Sequence, residues 1–317
     1  MYIYDVEGFI AMTIQFHLLS SGSAGNAAVL DVGTFSVLTD FGLAPRWLAQ
    51  RMRRCRVSWD QIGAVVLTHT HSDHWQAATL TQLAKRGLPV YCRPAHVEQL
   101  AQARRAFKAM SSAGLIRHYE PGERLVLHPE CHCVPIALQH DAAMTCGFRF
   151  EGPRSIFGCP WAIAYAADLG CWTPELARHF ADVELLAIEF NHDVPMQLGS
   201  GRHPHLIRRI LGDEGHLSND QGAALLAEVV RLSEPGRLRH LVQLHLSQDC
   251  NRPELARSAA EQVTQRLNVA MTIHTSDQDC AGPTIALSEG VPGARSRRAL
   301  PRKKSMLEQP MLPLIDT

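Results

Sequence analysis

Short apolar runs along this chain repeatedly end in polar side chains that can bind metal ions. Residues 65–67 lead directly into a cluster of histidines, the strand over residues 184–189 opens onto Asn191, His192 and Asp193, and the run at residues 240–244 ends beside His245. Apolar runs of this length, bounded by turn residues, are typical of buried strands. Because the loops at strand ends usually carry the chemistry of α/β proteins, we expect a functional site there.

The same pattern, with amphipathic segments between the apolar runs, predicts an α/β protein. Strands are predicted over residues 12–19, 27–31, 35–39, 65–67, 89–92, within 124–139, and over 147–150, 161–167, 184–189 and 240–244. Helices are predicted over residues 44–54, 75–85, 93–108, 173–180, 204–211, 219–232 and 253–267.

The densest cluster of candidate ligands is the sequence H-T-H-S-D-H, which supplies His69, His71, Asp73 and His74 within six residues. Imidazole and carboxylate groups suit Zn²⁺, Mn²⁺ and Fe, and the absence of cysteine from the cluster argues against a closed structural zinc site. His69 and His71 fall on one side of an extended segment, and a helix start near Ser72 would turn the other two ligands toward a neighbouring point. The spacing therefore suits two metal ions better than one. The alternative is that such histidines are ordinary strand-end residues.

Composition adds few constraints. The 317 residues are 46% hydrophobic and 20% charged, with 31 basic and 31 acidic side chains, so net charge does not favour a nucleic-acid partner. Nine cysteines without framework spacing, and no secretory signal, predict a reduced cytoplasmic protein. No apolar stretch approaches the roughly 20 residues of a membrane span, so no membrane association is expected.

A turn rich in small residues follows the first predicted strand, over residues 20–26, with the sequence S-S-G-S-A-G-N. Small residues permit close backbone approach, and free N–H groups in such a turn can face a phosphate. Ser23 and Asn26 are therefore candidate substrate-binding residues. A plain hairpin turn is the alternative interpretation.

The H-T-H-S-D-H cluster resembles the HxHxDH signature of the metallo-β-lactamase superfamily. This resemblance implies an αββα four-layer sandwich with a dinuclear metal site. It also implies three further ligands, which His140, Asp168 and His245 match in order along the chain. Carried over, the first metal would bind His69, His71 and His140, the second would bind Asp73, His74 and His245, and Asp168 would bridge both. Two divalent ions about 3.5–4 Å apart can activate a shared water, which Asp73 would orient as a catalytic residue.

Six further motifs narrow the resemblance to the YycJ (WalJ) group, which is described as DNA exonucleases. They are S-G-S-A-G-N, H-D-A, A-D-L-G, E-F-N-H-D, G-H-L-S-N and H-L-S, and they extend the resemblance over residues 12–280, the predicted catalytic domain. Residues 248–251, Q-D-C-N, depart from the acidic residue and asparagines expected there. No insertion long enough for a β-CASP domain separates Asp168 from His245, which disfavours that RNA-processing branch.

Three further polar residues lie outside the implied ligand set. His216, between glycine and a helix start, is a candidate for contacting the scissile phosphate or donating a proton to the leaving oxygen. The alternative is that it packs the turn before a capped helix. His192 and Asn219 are further candidates for substrate binding, with an ordinary structural role as the alternative.

The chain ends in a basic segment over residues 290–317, which is predicted to be a disordered tail. Gln309, Leu312 and Leu314 within it resemble the short peptides that bind bacterial sliding clamps. A flexible tether that presents a few apolar anchors to a groove fits this mode of recognition.

Together these features predict a metal-dependent phosphodiesterase that acts on DNA, as an exonuclease in replication or repair, with two divalent ions as cofactors. One alternative is hydrolysis of a small phosphodiester, lactone or thioester at the same site. A second alternative is a non-enzymatic accessory protein tethered to the clamp.

Overall fold

A computed structural model of the protein describes residues 14–142, 144–156, 159–276 and 281–287. Within these residues, two seven-stranded sheets face each other. The first sheet contains, in spatial order, β14 (Thr284–Leu287), β1 (Ile14–Ser20), β2 (Ala27–Asp31), β3 (Ser36–Thr39), β4 (Ile62–Val66), β5 (Val90–Cys92) and β6 (Ile116–His118). Strands β3 to β6 run parallel, whereas β14, β1, β2 and β3 are joined by antiparallel pairs.

The second sheet is likewise mixed, with a parallel part and an antiparallel part. Its order is β13 (Thr272–Thr275), β12 (His240–Leu244), β11 (Leu185–Glu189), β10 (Cys159–Ala166), β9 (Cys146–Ile156), β8 (Cys131–Ala137) and β7 (Leu125–His128). Strands β10 to β13 are parallel, and the remaining pairs are antiparallel. The carboxyl ends of the parallel strands therefore meet at one edge of the sheet.

Helices cover the outer face of each sheet. The chain forms α1 (Pro45–Arg54), α2 (Ala77–Arg86), α3 (Val97–Leu100), α4 (Arg105–Ser112), α5 (Pro174–His179), α6 (Val194–Leu198), α7 (Pro204–Leu211), α8 (Asn219–Leu232) and α9 (Pro253–Leu267). Helices α1, α2 and α4 pack on the first sheet, and α5, α8 and α9 pack on the second. Among the helices of the described chain, we find none with both the length and the apolar content that crossing a bilayer requires.

Alternating side chains divide the interior into three apolar layers. On β4, Val66 points between the two sheets and Val65 points toward the helices. On β11, Ala187 faces the first sheet and Ile188 faces the helices. Because both faces of these strands are buried, they are continuous apolar runs. The predicted αββα four-layer sandwich is confirmed.

The prediction of one continuous helix over residues 93–108 is wrong. The chain forms short 3₁₀ turns and α3, and then breaks at Arg104, whose φ is 44°. The break redirects α4 so that Met110 is buried against the first helical layer. Periodicity alone missed this change of direction, because both halves have helical spacing.

Several short elements were also missed. Strands β6, β13 and β14 have three or four residues each, too few for a clear period. Strand β14 follows Cys280, where the predicted catalytic domain ends. The tail at residues 290–317, with its candidate clamp-binding residues Gln309, Leu312 and Leu314, lies outside the described residues.

Candidate metal centre

The candidate ligands come together from loops at the carboxyl ends of strands in both sheets. The loop after β4 in the first sheet supplies the H-T-H-S-D-H cluster, and strands of the second sheet supply the others. His140 follows β8, Asp168 follows β10 and His245 follows β12. The centre therefore lies where the two sheets meet.

Three histidines form the first group of ligands. The rings of His69 and His71 have centroids 4.7 Å apart, and the ring of His140 lies 5.3 and 5.1 Å from them. Each can offer one nitrogen within 4.8 Å of the others. The carbonyl of Gly215 accepts a hydrogen bond from His140 Nδ1 at 2.9 Å, so Nε2 of this ring has a lone pair that could bind a metal ion.

Two further groups of possible ligands adjoin the first and share Asp168: His69, His74 and Asp168, and Asp168, Glu189, His216 and His245. Asp73 Oδ2 lies 3.6 Å from His74 Nε2 and 3.5 Å from His245 Nε2. Asp168 lies between the groups, with Oδ2 2.6 Å from His74 Nε2 and 3.7 Å from His69 Nε2. Its other oxygen, Oδ1, is 3.0 Å from His245 Nδ1. This position is suitable for a carboxylate shared by two ions.

Unpaired nitrogen atoms show that the pocket fits a divalent cation. The Nε2 atoms of His69 and His245 are buried and have no hydrogen-bond partner among the described residues. Leaving such atoms unpaired is costly unless they bind something. Burial and the neighbouring His74 hold the pKa of His69 well below its usual value, so its imidazole is neutral, as metal binding requires. This cluster of histidine and aspartate implies divalent metal ions as cofactors.

Asp40 supports His74 from behind, a role that sequence reasoning missed. Its Oδ2 lies 2.7 Å from His74 Nδ1, and its carboxylate also accepts hydrogen bonds from the backbone N–H and hydroxyl of Thr68. Burial raises the pKa of Asp40. Burial alone would lower the pKa of His74, but with no ion bound Asp40 and Asp168 outweigh it and raise that pKa to about 10, so metal binding would release a proton from this ring. The only sequence signal was an aspartate that closes an apolar strand.

The turn over residues 20–26 directly contacts the loop that carries the H-T-H-S-D-H cluster. The side-chain amide of Asn26 donates to Asp73 Oδ2 at 3.2 Å and lies 2.9 Å from His74 Nε2. Its backbone N–H donates to the Asp73 carbonyl at 2.6 Å. Gly42 permits this close approach, since a Cβ there would lie 1.7 Å from the same carbonyl oxygen. Asn26 thus touches two candidate ligands.

Glu189 links two histidines at the end of β11 and is fully buried. Its Oε1 lies 2.8 Å from Nδ1 of both His216 and His245, and its Oε2 accepts the backbone N–H groups of Leu169 and Leu217. Burial would raise its pKa, but the charge of His216 outweighs this and lowers the pKa. In the sequence, Glu189 stands out only as part of a family motif. Its position at the end of a buried strand could also have indicated a functional role.

A cavity of about 270 Å³ opens beside this histidine pair. The predicted substrate-binding residue Ser23 and the predicted catalytic residue His216 both lie in its wall, together with His245. The lining also includes Arg202, Leu206 and Ile210. The structure therefore brings Ser23 and His216 to the same space as the candidate ligands.

The other two predicted substrate-binding residues lie behind the cavity wall. His192 is fully buried, both of its ring nitrogens lack a hydrogen-bond partner among the described residues, and burial lowers its pKa to about 4. Asn219 is only 5% exposed, and its amide pairs with that of Asn251 at 2.9 Å. Neither side chain belongs to the lining of the cavity.

Comparison with known sequences agrees with this architecture. A family model described as "Beta-lactamase superfamily domain" matches residues 36–238. The chain is 27% identical over 276 residues to the exodeoxyribonuclease YycJ of Bacillus anthracis, which covers 84% of this chain and 96% of that protein. The predicted resemblance to the YycJ group is thereby confirmed.

Solved structures show the same fold at low identity. The metallo-β-lactamase fold protein YhfI from Bacillus subtilis aligns with a TM-score of 0.62 at 16% identity, over 86% of this chain and 99% of that one. Zn²⁺-bound PqqB from Methylobacterium extorquens aligns with a TM-score of 0.58 at 16% identity, over the same shares of the two chains. This chain therefore belongs to the β-lactamase superfamily and is a hydrolase with the metallo-β-lactamase fold.

Proposed function

We propose that the protein is a cytoplasmic, metal-dependent phosphodiesterase that removes nucleotides from the ends of DNA. The observation that carries the proposal is the position of Asp168 between two adjoining ligand groups, next to a Glu189–His216 pair that faces an open cavity. The similarity to YycJ, which is named an exodeoxyribonuclease, supports DNA as the substrate.

Two divalent ions fit the donor groups that the chain supplies. His69, His71 and His140 would hold one, Asp73, His74 and His245 the other, and Asp168 would contact both. When bound, such ions lower the pKa of a water molecule and neutralise negative charge on the scissile phosphate. Histidine and aspartate donors suit zinc, manganese and iron.

The chain's own groups would then position the reactants and move a proton. Asp73 would orient the attacking water, whose oxygen forms a bond to phosphorus while the ester bond to the leaving oxygen breaks. His216 would donate a proton to that oxygen. Burial alone would lower the pKa of His216, but the Glu189 carboxylate outweighs it and raises the pKa, which favours the protonated form that can act as an acid.

Digestion of end-labelled single- and double-stranded DNA with Mn²⁺ or Zn²⁺ tests the proposal. We expect metal-dependent shortening that His71→Ala and Asp168→Asn both abolish, with their circular dichroism unchanged. The exposed Asp220→Asn serves as the matched control and should retain activity. Full activity of metal-loaded Asp168→Asn would contradict the assignment of the centre.

A second candidate function is hydrolysis of a small phosphodiester at the same centre. The modest size of the cavity, about 270 Å³, favours it. Bis(p-nitrophenyl) phosphate is a suitable probe. Cleavage of this compound, combined with intact DNA under every metal tested, would favour the second candidate over the first.

We also propose that the tail binds a bacterial sliding clamp. Gln309, Leu312 and Leu314 lie outside the described residues, so this proposal rests on their sequence pattern alone. We expect a synthetic peptide of residues 305–317 to bind the purified clamp, and the triple alanine variant of these residues to lose binding in fluorescence anisotropy. Equal binding of both peptides would exclude the proposed contact.

A further inference from the structure

The cavity beside His216 combines a positive group with an apolar wall on one short segment. Residues 199–212 contain three arginines and two histidines and no acidic residue. Arg202 precedes α7 and lines the cavity, while Leu206 and Ile210, one helical turn apart on α7, line it with apolar surface. Two of the three arginines are in ion pairs, Arg202 with Asp249 and Arg209 with Asp141, and of these two Arg202 lines the cavity.

Arg202 is available to an incoming anion. Its guanidinium contacts Asp249 at 2.8 Å, but the side chain of Asp249 is 76% exposed. An ion pair with so exposed a partner contributes little, so a phosphate can replace the carboxylate at small cost. A guanidinium can also bind a phosphate through two parallel hydrogen bonds.

The apolar wall of the cavity is exposed to solvent. Helix α7 contains no buried residue, and Leu206 is 37% exposed although it lies beside the catalytic candidates. Base and sugar rings present apolar faces that such side chains can cover. At about 270 Å³, the cavity is just below the range of roughly 300–1,000 Å³ that is usual for small-molecule sites, so it holds one nucleotide at most.

We propose that this cavity binds the terminal nucleotide of a DNA strand, with Arg202 on its terminal phosphate and Leu206 and Ile210 against its base or sugar. This inference rests on the proposed function and deepens it. A space for a single nucleotide next to the metal centre makes the enzyme act at strand ends. It also makes the enzyme prefer ends that carry a phosphate monoester.

Binding measurements test the cavity separately from catalysis. The probes are deoxyadenosine 5′-monophosphate, deoxyadenosine 3′-monophosphate, deoxyadenosine and inorganic phosphate, added to the full-length metal-loaded protein in titration calorimetry. We expect one of the two monophosphates to bind more tightly than the other probes, which identifies the end that is recognised. Arg202→Gln should weaken its binding about tenfold, whereas the matched variant Arg208→Gln, an exposed arginine of α7 outside the cavity, should not.

A second pair of variants tests the apolar wall. Leu206→Ser should weaken nucleotide binding about fivefold without changing the binding of inorganic phosphate, and Leu198→Ser, on the neighbouring helix α6 and 60% exposed, should change neither. Equal nucleotide binding by the wild type, Arg202→Gln and Leu206→Ser would overturn the proposal.

DNA digestion then separates this inference from the proposed function. Wild-type protein should prefer an oligonucleotide that is phosphorylated at the recognised end, and Arg202→Gln should lose this preference but still degrade the unphosphorylated strand. If DNA is degraded and Arg202→Gln does not change the preference for a phosphorylated end, the inference about the cavity is wrong while the proposed nuclease function stands. Nucleotide binding that depends on Arg202, without any DNA degradation, would support the cavity and reject the nuclease.

Discussion

Nδ1 of His74 lies 2.7 Å from Oδ2 of Asp40, and both side chains are completely buried. The carboxylate orients the ring so that its other nitrogen faces the metal centre, a support that commonly contributes 10- to 100-fold in metal affinity. We therefore expect Asp40→Asn to bind metal about 10- to 100-fold more weakly. Metal content after dialysis against a graded series of chelator concentrations measures this loss. The exposed Asp60→Asn is the control, and equal retention by both variants would contradict the role of Asp40.

Two buried glutamates at opposite ends of one strand provide a matched pair. Glu189 contacts the histidines of the centre, whereas Glu184, just before β11, accepts the backbone N–H of Ala162 and pairs with Arg237 at 3.0 Å. We expect Glu184→Gln and Glu189→Gln each to lose about 2 kcal/mol of unfolding free energy, because each disrupts a buried charged hydrogen-bond network. Only Glu189→Gln should also lose activity, by about 100-fold or more.

Urea unfolding and single-turnover DNA cleavage measure the two effects separately. Comparable activity of the two variants would show that Glu189 does no more than stabilise the fold. A shift in the pH profile of Glu189→Gln alone would further link it to proton transfer by His216.

Gly42 is expected to tolerate no side chain. A Cβ at this position would lie 1.7 Å from the Asp73 carbonyl oxygen, so Gly42→Ala must displace the loop that carries the candidate ligands. We expect a loss of at least about 3 kcal/mol of stability together with weaker metal binding. Gly87→Ala is the control: its Cβ would meet nothing, and its φ of 65° costs only about 1 kcal/mol. Similar melting temperatures for the two variants would refute the steric argument.

His192 should make the protein less stable in acid. The pKa of its buried side chain is lowered to about 4 from the ordinary 6.5. Between these values the unfolded chain binds a proton at this position that the folded chain does not, so stability decreases as the pH falls from 6.5 to 4, by at most about 3 kcal/mol. Above pH 6.5, His192 is neutral in both the folded and the unfolded chain, so it no longer changes the stability with pH.

His192→Phe removes this titration and, because neither ring nitrogen makes a hydrogen bond within the described chain, should keep the fold. We expect the unfolding free energy of the variant to depend less on pH between 6.5 and 4 than that of the wild type, while the difference between the two proteins stays constant from pH 7 to 8. Parallel pH profiles throughout would exclude His192 as the source.

The sequence predicts those parts of the fold and site whose residues are close together along the chain. His69, His71, Asp73 and His74 occupy six consecutive positions after an apolar strand, so spacing alone indicated a metal centre. Asp168, by contrast, was assigned only through family resemblance, because an aspartate at a strand end is common.

The parts that it missed depend on contacts between distant segments. Asp40 meets His74 from 34 positions away, and Glu189 meets His216 and His245 from 27 and 56 positions away. Neither carboxylate differs, in its own neighbourhood of the sequence, from an ordinary strand-end residue. Only the pairing of strands within each sheet shows which histidines they support.

The pairing of β1 with β14 joins the two ends of the described chain, with Ile14 opposite Leu287. During synthesis, β1 can pair with β2 as soon as both have left the ribosome. The other edge of β1 stays unpaired until β14 has also been synthesised. Until then, an exposed row of backbone N–H and C=O groups can pair with a strand of another molecule. The four-residue β14 replaces the seven-residue β1 as the edge of this sheet, and a shorter edge offers fewer groups for such pairing. Chains that terminate before Thr284 would keep the longer edge.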